Sequence, residues 1–388
     1  MDVASLKDAV VKVIRSREQD FIAISHELFK HPETGLQEHR SSELLCKFLK
    51  REGFRVQYGL AGMETAFMAS RGDTGPSIAI LAEMDALPEL GHACGHNIIA
   101  AAALGAATGL RAVLSNEDIR LTVLGTPAEE QGIGKIELIK AGYFDRIDFA
   151  MMVHPSSRRY ITKAYLGLAR LKFIFFGRPA HASAYPEEGI NALDAVIQTF
   201  NAINALRQQT AQDVRIHGII TEGGTAPNII PARAACSFYV RAMDLDRVHQ
   251  TVKRVIACAQ GAATAAGCEV EVVEDPRIMA PFRINAAFSE LYAIQLQALG
   301  LQVDEVPVDR NCGSSDIGNV SQIVPTIHPH VPIGLGINIH SNTFAEASVS
   351  PKGDQAVLEG ACALAMAAVE LACDPECRQR ITEEFRNS

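Results

Sequence analysis

Three apolar runs in the first half of the chain each end in acidic or histidine side chains. The runs with their terminal residues are PSIAILAEMDALP (76–88) with Glu83 and Asp85, IRLTVLGTPAEEQG (119–132) with Glu129 and Glu130, and IDFAMMVHP (147–155) with His154. Near-continuous apolar runs separated by helical stretches are typical of parallel strands covered on both faces. Ligands bind beyond the carboxyl ends of such strands. We therefore expect these side chains to meet at one edge of a sheet.

The segment 168–275 has a different pattern of predicted strands and helices, in the order β-α-β-β-α-β. Its first helix, 190–209, is expected to bury one face that carries Leu193, Val196, Ile197, Phe200 and Ile203. Its second helix is expected to be capped by Asp244 and closed by Gly267. This order is the ferredoxin-like split motif. The sequence thus predicts an α/β protein with a mostly parallel-sheet catalytic domain (1–167 and 276–388) and an inserted lid or dimerisation domain (168–275), whose edge strands could pair with a second copy.

Composition narrows the class of protein. The 388 residues are 48% hydrophobic and 21% charged, as in globular proteins, and the net charge of −9 with no basic cluster disfavours nucleic acid as a partner. Nine scattered cysteines do not indicate a disulfide framework. The charged N-terminus lacks a signal-peptide core, and the apolar run 98–114 is too short for a membrane span. We expect a cytoplasmic protein without a membrane partner.

The stretch ELGHACGHN (89–97) adds a thiol and an imidazole, those of Cys94 and His96, to the candidate metal ligands at the strand ends. Cys94, His96, Glu130, His154 and His340 offer one thiolate, three imidazoles and one carboxylate, a mixed set that suits zinc or another first-row divalent ion. No C-x-x-C pair lies here, and a ligating thiolate is not a free nucleophile, so redox and cysteine-nucleophile chemistry are disfavoured.

Adjacent carboxylates after one strand point in different directions. One of the pair Glu129–Glu130 can therefore bind a metal while the other takes a proton from the water that the metal activates and passes it to the leaving amine. Asp85 is expected to orient a histidine ligand. Elsewhere, Glu38 and His31 fit helix packing as well as a place near the site. His328 and His330 fit a core or a turn first and a pocket lining second, and Asp316 fits a helix cap first and a pocket wall second.

Several segments resemble the sequence motifs of a known family. They occur in the same order as in that family and extend over nearly the whole chain. They are MDALPELGHACGHN, GTPAEE, VHP, FGRPAHAS, GGTAPNIIPARAACSFYVR, GSSDIGNVS and the late His340. Together they resemble the metal-dependent amidohydrolase, aminoacylase and carboxypeptidase family. Within it they resemble the cysteine-ligand branch of hippurate, auxin-conjugate and aminobenzoyl-glutamate hydrolases, and most closely the subgroup of β-alanyl-lysine-type dipeptidases.

The resemblance implies a role for each matching residue. It implies metal ligation by Cys94, His96, Glu130, His154 and His340, with Cys94 in place of the bridging aspartate of more distant relatives. Glu129 would be the general base and then acid. His181 would reach the active site of a partner subunit and polarise the scissile carbonyl, while Asn228 and Arg241 would converge on the substrate's carboxylate or an equivalent polar group. Asn97 and Glu83 depart from the family pattern, which has an aspartate and, in distant relatives, a metal-binding histidine there.

We therefore expect a homodimeric metal-dependent amide hydrolase. Its substrate would be a small N-acyl amino acid, a dipeptide-like molecule or an aminobenzoyl-amino acid. One or two divalent ions per subunit are implied, zinc or manganese first and cobalt or nickel next. The alternatives are a metal-dependent aminohydrolase (a deaminase) acting on a small aromatic or unusual substrate, and a non-catalytic metal- or ligand-binding relative. A nucleotide-binding protein is disfavoured because no glycine-rich phosphate loop opens a helix after a strand.

Overall fold

The computed structural model describes residues 2–305 and 312–388. Its α-helices are α1 (Val3–Ser16), α2 (Glu18–Lys30), α3 (His39–Arg51), α4 (His96–Val113), α5 (Gly134–Lys140), α6 (Ala192–Leu206), α7 (Leu245–Ala266), α8 (Ala286–Ala298), α9 (Ile317–Ile323), α10 (Asn342–Ala347), α11 (Pro351–Cys373) and α12 (Pro375–Asn387). Its strands are β1 (Arg55–Tyr58), β2 (Phe67–Arg71), β3 (Ser77–Glu83), β4 (Arg120–Thr126), β5 (Phe149–Met151), β6 (His154–Ser156), β7 (Gly167–Phe176), β8 (Arg215–Glu222), β9 (Arg233–Ala242), β10 (Glu269–Glu274), β11 (Thr326–Ile327) and β12 (His330–Pro332).

The chain divides into two compact units, 1–164 with 282–388, and 165–281. The second unit includes the segment after β10 because Met279 bridges to Leu168 at the start of β7.

The first unit is built on a six-stranded sheet in the order β1-β2-β4-β3-β5-β11. Strands β4, β3, β5 and β11 run parallel, and the antiparallel β1 and β2 form one edge. The strand β4 lies on one side of β3, and the next strand in the sequence, β5, lies on the other side. The carboxyl end of β3 is therefore a topological switch point. A ligand site is expected at such a point.

The helix α4 starts directly at this switch point and is buried along nearly all of its length. Its alanines and glycines let α1, α2 and α11 approach closely; a Cβ added at Gly109 would lie 2.8 Å from side-chain atoms of Val10 and Ile14. The helix α11 is the one described helix long and apolar enough to cross a membrane, and it is part of the same hydrophobic core. The rigid core thus fixes where α4 begins.

The second unit has the predicted β-α-β-β-α-β order, with an antiparallel sheet in the order β10-β7-β9-β8. The Asp244 side chain accepts from the Arg247 backbone N–H, and Gly267 ends α7 at φ 72°, as expected. One prediction for α6 is wrong: Ile197 is 43% exposed. The buried face of α6 is centred instead on Ala192, Ala195, Val196, Thr199 and Ile203, which leaves Ile197 on the rim.

Candidate active site

The first unit brings together the five proposed metal ligands. Cys94 lies on the loop after β3, His96 begins α4, Glu130 follows β4, His154 begins β6, and His340 precedes α10. The ligand atoms form three groups, in each of which all atoms lie within 4.8 Å of one another: Cys94 with His96 and His154, Cys94 with Glu130 and His340, and His96 with Glu129 and Glu130. Segments far apart in the sequence therefore converge at the switch point of the sheet.

The two buried imidazoles are oriented by their Nδ1 atoms. His96 Nδ1 donates to the backbone oxygen of Asp85 at 2.8 Å and to Asp85 Oδ1 at 3.0 Å. His154 Nδ1 donates to the backbone oxygen of Pro155 at 2.7 Å. Both Nε2 atoms are therefore left for another partner, and His154 Nε2 lies 3.6 Å from the sulfur of Cys94. Fixing the second ring nitrogen in this way is the usual support of a histidine that binds a metal.

The loop that carries Glu129 and Glu130 is held in a strained conformation. Ala128 has φ 55°, and its N–H donates to Glu38 Oε1 at 2.8 Å. The other Glu38 oxygen accepts from the Thr65 hydroxyl at 2.8 Å, and Glu130 N–H donates to Asp85 Oδ2 at 3.1 Å. Backbone strain of this kind persists where the surroundings over-determine it, as at functional sites. Glu38 is therefore a support of the site loop, a role that its sequence pattern left open.

His340 closes the cluster from the solvent side. It also has a positive φ, 62°, and its N–H donates to the backbone oxygen of Ala93 at 2.9 Å. Its Nε2 lies 3.4 Å from Glu130 Oε1, and its side chain is 48% exposed. The site is thus buried on the side of Cys94 and His96 and open on the side of His340.

Electrostatics at the site favour a bound cation. Burial, reinforced by Glu130, raises the pKa of the Cys94 thiol well above its ordinary value. Burial and then the charges of Glu83 and Glu130 raise the pKa of Glu129. Burial would also raise the pKa of Asp85, but His96 holds it below its usual value. Burial and the neighbouring acids thus disfavour the ionised forms of Cys94 and Glu129, and a bound cation would offset that cost.

A divalent ion fits the residues present. Within the described part of the chain, His96 Nε2 is buried with no hydrogen-bond partner, and it faces Glu83 at 3.4 Å and Glu129 and Glu130 at 4.0 Å each. The donor set mixes sulfur, nitrogen and oxygen, which suits a first-row divalent ion.

A second charged group lies beside the ligands and was missed by the sequence reasoning. Lys135 is completely buried, and its Nζ donates to Glu83 Oε1 at 2.6 Å and to Asp316 Oδ1 at 2.5 Å. Asp316 stands at the N-cap position of α9, yet its side chain makes no cap hydrogen bond. Its expected capping role is therefore wrong, because Lys135 takes both carboxylate oxygens, the second through its backbone N–H at 2.9 Å. The only signal in the sequence was a lysine shortly after the Glu129–Glu130 pair.

Two further histidines surround His154. The ring centroids of His328 and His330 lie 5.5 and 5.6 Å from that of His154, and both side chains are buried. Burial lowers the pKa of His154 to about 4, and burial also lowers the pKa values of His328 and His330. The uncharged rings of His328 and His330 thus pack against the candidate metal ligand His154. Asn97 is buried as well, but its side chain donates to Ser25 Oγ at 2.9 Å, which leaves the orientation of His96 to Asp85.

The remaining candidate residues belong to the second unit. His181 is exposed, bridges to Ile229, and accepts through Nδ1 from the Ala184 N–H at 3.2 Å. Asn228 is exposed beside it, and its backbone oxygen accepts from the Ala182 N–H at 3.0 Å.

Arg241 lies at the far end of the same sheet. It is half-buried and pairs with Leu168 at the start of β7, whereas Arg233 at the Asn228 end pairs with Phe176. From Arg233 to Arg241 the strand extends roughly 27 Å at about 3.4 Å per residue. The expectation that Asn228 and Arg241 of one subunit converge is therefore not met, because β9 separates them.

Comparisons with known proteins agree with this architecture. Residues 165–265 match the peptidase dimerisation domain of the M20 family. The Xaa-Arg dipeptidase of Mus musculus is 35% identical over 380 residues, which cover 94% of this chain and 88% of that protein. One of the subunits of the p-aminobenzoyl-glutamate hydrolase of Escherichia coli K12 is 33% identical over 279 residues, 66% of this chain and 58% of that protein.

A solved structure with this fold is a Bacillus subtilis protein described as a dinuclear metal-binding peptidase of the M20 family. It aligns with a TM-score of 0.71 at 20% identity, over 92% of this chain and 99% of that one.

The fold and site define a metal-dependent hydrolase with an inserted dimerisation domain. The chain belongs to the M20 family of metallopeptidases and is an enzyme that hydrolyses amide bonds with a divalent metal ion.

Proposed function

We propose that the enzyme is a dipeptidase that releases a C-terminal arginine or lysine from small dipeptide-like substrates. The observation that carries the proposal is the position of Glu129, an additional carboxylate within 4.8 Å of both His96 and Glu130 in the candidate ligand cluster. A protein that only binds a metal does not need this acid. The preference for a basic residue is supported by the likeness to the mouse and human Xaa-Arg dipeptidases, 35% and 34% identical.

Cys94, His96, Glu130, His154 and His340 would hold the metal. When bound, a divalent ion supplies Lewis acidity, which polarises a carbonyl and makes water more acidic. Glu129 would accept the proton of the attacking water and deliver it to the leaving amine. Its pKa, raised by burial and by Glu83, suits this role, because a raised pKa makes the carboxylate a stronger base.

The cluster supports two ions per subunit, zinc or manganese. Cys94 belongs to two separate ligand groups, one with His96 and His154 and the other with Glu130 and His340. Cys94 would therefore be a ligand in both groups. Zinc suits the thiolate and imidazoles, and manganese suits the carboxylates.

A homodimer formed through the inserted unit would supply the rest of the site. His181 and Asn228 lie next to each other and are exposed, so they are available to the active site of a partner subunit. There His181 would donate to the carbonyl oxygen, and Asn228 would hold the substrate. Because β9 separates Asn228 from Arg241 within one subunit, the two can contact one substrate only if different subunits contribute them.

The test is a substrate panel with metal-loaded protein. Xaa-Arg and Xaa-Lys dipeptides, p-aminobenzoyl-glutamate, N-acetyl amino acids and small aromatic amines would be compared by kcat/KM, each with and without a chelator. We expect the basic dipeptides to be preferred and all turnover to require metal. Preference for p-aminobenzoyl-glutamate, or release of ammonia from an aromatic amine, would overturn the proposal.

The variant Glu129→Gln tests the mechanism separately. Replacing the general base should lower kcat by about 10²- to 10⁴-fold while the metal content stays that of the wild type, because Glu129 is not among the proposed ligands. Full turnover in this variant would remove Glu129 from its assigned role.

A further inference from the structure

Behind the candidate ligands lies a second acidic group, formed by Glu83, Glu129 and Asp316. One carboxylate oxygen of each lies within 4.8 Å of the others, the same spacing that defines the ligand groups around Cys94. All three residues are buried. By composition and spacing alone, this group could bind a divalent cation.

A side chain of the protein already supplies that positive charge. Lys135 Nζ lies 2.6 Å from Glu83 Oε1 and 2.5 Å from Asp316 Oδ1, and the backbone N–H of Lys135 donates to Asp316 Oδ2 at 2.9 Å. The two contacts to Asp316 fix Lys135 at the start of α5. Burial alone would lower the pKa of Lys135, but Asp316, Glu83 and Glu129 together raise it well above its ordinary value. The two carboxylate contacts, to Glu83 and Asp316, therefore favour the charged ammonium.

The position of Lys135 also fixes Glu83. One Glu83 oxygen is held by the ammonium, and the other faces His96 Nε2 at 3.4 Å. A metal ion in the acidic group would have to displace the ammonium and would compete for the same carboxylate oxygens.

We propose that Lys135 is a built-in cation of the active site: it occupies the Glu83–Glu129–Asp316 group, excludes a metal ion from it, and so confines metal binding to the cluster around Cys94. Lys135 is thus a positioning residue, which acts through Glu83 and Asp316 rather than on the substrate. The inference rests on the proposed metal site but not on which amide is cleaved.

The experiment measures metal equivalents per subunit. Wild type, Lys135→Met, Asp316→Asn and the double variant Lys135→Met/Asp316→Asn are stripped with a chelator, dialysed against excess Mn²⁺ and then against metal-free buffer, and analysed by elemental mass spectrometry. Lys135→Met keeps the side-chain volume and removes the charge. The double variant carries the same apolar replacement but has only two of the three carboxylates, which makes it the matched control.

We expect Lys135→Met to retain one more Mn²⁺ per subunit than the wild type, and its melting temperature to rise more on Mn²⁺ addition. The double variant should return to the wild-type number. An unchanged number in Lys135→Met would overturn the proposal.

Asp316→Asn provides an independent way to refute the proposal if Lys135→Met does not fold. Because the acidic group holds an ammonium and not a metal in the native protein, this variant should retain the wild-type number of ions. Loss of an equivalent would show that Asp316 is itself a metal ligand, which contradicts the proposal. A wild type that retains no metal would instead refute the metal site on which the proposed function depends.

Discussion

Asp85 offers a quantitative test of how the metal ligands are oriented. Its carboxylate accepts two hydrogen bonds, from His96 Nδ1 at 3.0 Å and from the Glu130 N–H at 3.1 Å. In Asp85→Asn the amide has only one oxygen. If that oxygen stays on His96, the Glu130 N–H faces an amide N–H, and a buried donor without an acceptor costs about 1–3 kcal/mol.

The same substitution removes the negative charge that strengthens His96 as a ligand. Loss of such an outer carboxylate typically lowers metal affinity about 10- to 100-fold, which corresponds to about 1.4–2.8 kcal/mol. His96 Nδ1 keeps its contact with the backbone oxygen of Asp85 at 2.8 Å. We therefore expect the ring to stay in place and the affinity loss to lie within that range.

The assay is a competition titration of metal-free protein against a chromophoric chelator. Asn97→Ala is the control, because Asn97 is equally buried and adjacent to His96 but bonds to Ser25. The control should lose stability without losing metal affinity. Wild-type affinity in Asp85→Asn, or an equal loss in Asn97→Ala, would refute the orienting role of Asp85.

Three further predictions test the stabilisation of the protein by metal, the raised pKa of Glu38 and the catalytic role of His181. Saturating metal at about 100 times its dissociation constant should stabilise the protein by about 2.7 kcal/mol, seen as a higher melting temperature that a chelator reverses; no shift would contradict metal binding by the folded protein. Burial, with Asp85 nearby, raises the pKa of Glu38, so its contribution to the unfolding free energy is complete below about pH 4.3 and is lost as pH rises through the folded pKa. Urea unfolding of metal-free Glu38→Gln should therefore lose less stability between pH 4 and 7 than the wild type; parallel curves would show that Glu38 has an ordinary pKa. His181→Ala should lower kcat about 10²- to 10³-fold while light scattering reports the same oligomeric state as for the wild type, and an unchanged rate would remove its role.

Local patterns in the sequence were sufficient to predict the elements and much of the site. The acidic ends of β3 and β4 were visible because a buried parallel strand is a continuous apolar run and its polar end is abrupt. The β-α-β-β-α-β order and the caps at Asp244 and Gly267 follow from spacing and from residues with strong positional preferences. The set around Cys94 and His96 could be nominated because few residue types bind transition metals.

Only the tertiary structure decided which of these side chains meet. Lys135 looked like any helical lysine, and its burial between Glu83 and Asp316 depends on how α5 and α9 pack. The strand β9 kept Asn228 and Arg241 apart although they are near in sequence, whereas a backbone hydrogen bond to Ala93 holds His340 beside Cys94 from far along the chain. Periodicity and capping are properties of a few neighbouring residues, so the local sequence is sufficient to predict them. The distance between remote side chains depends instead on strand order, register and helix packing, which no single segment contains.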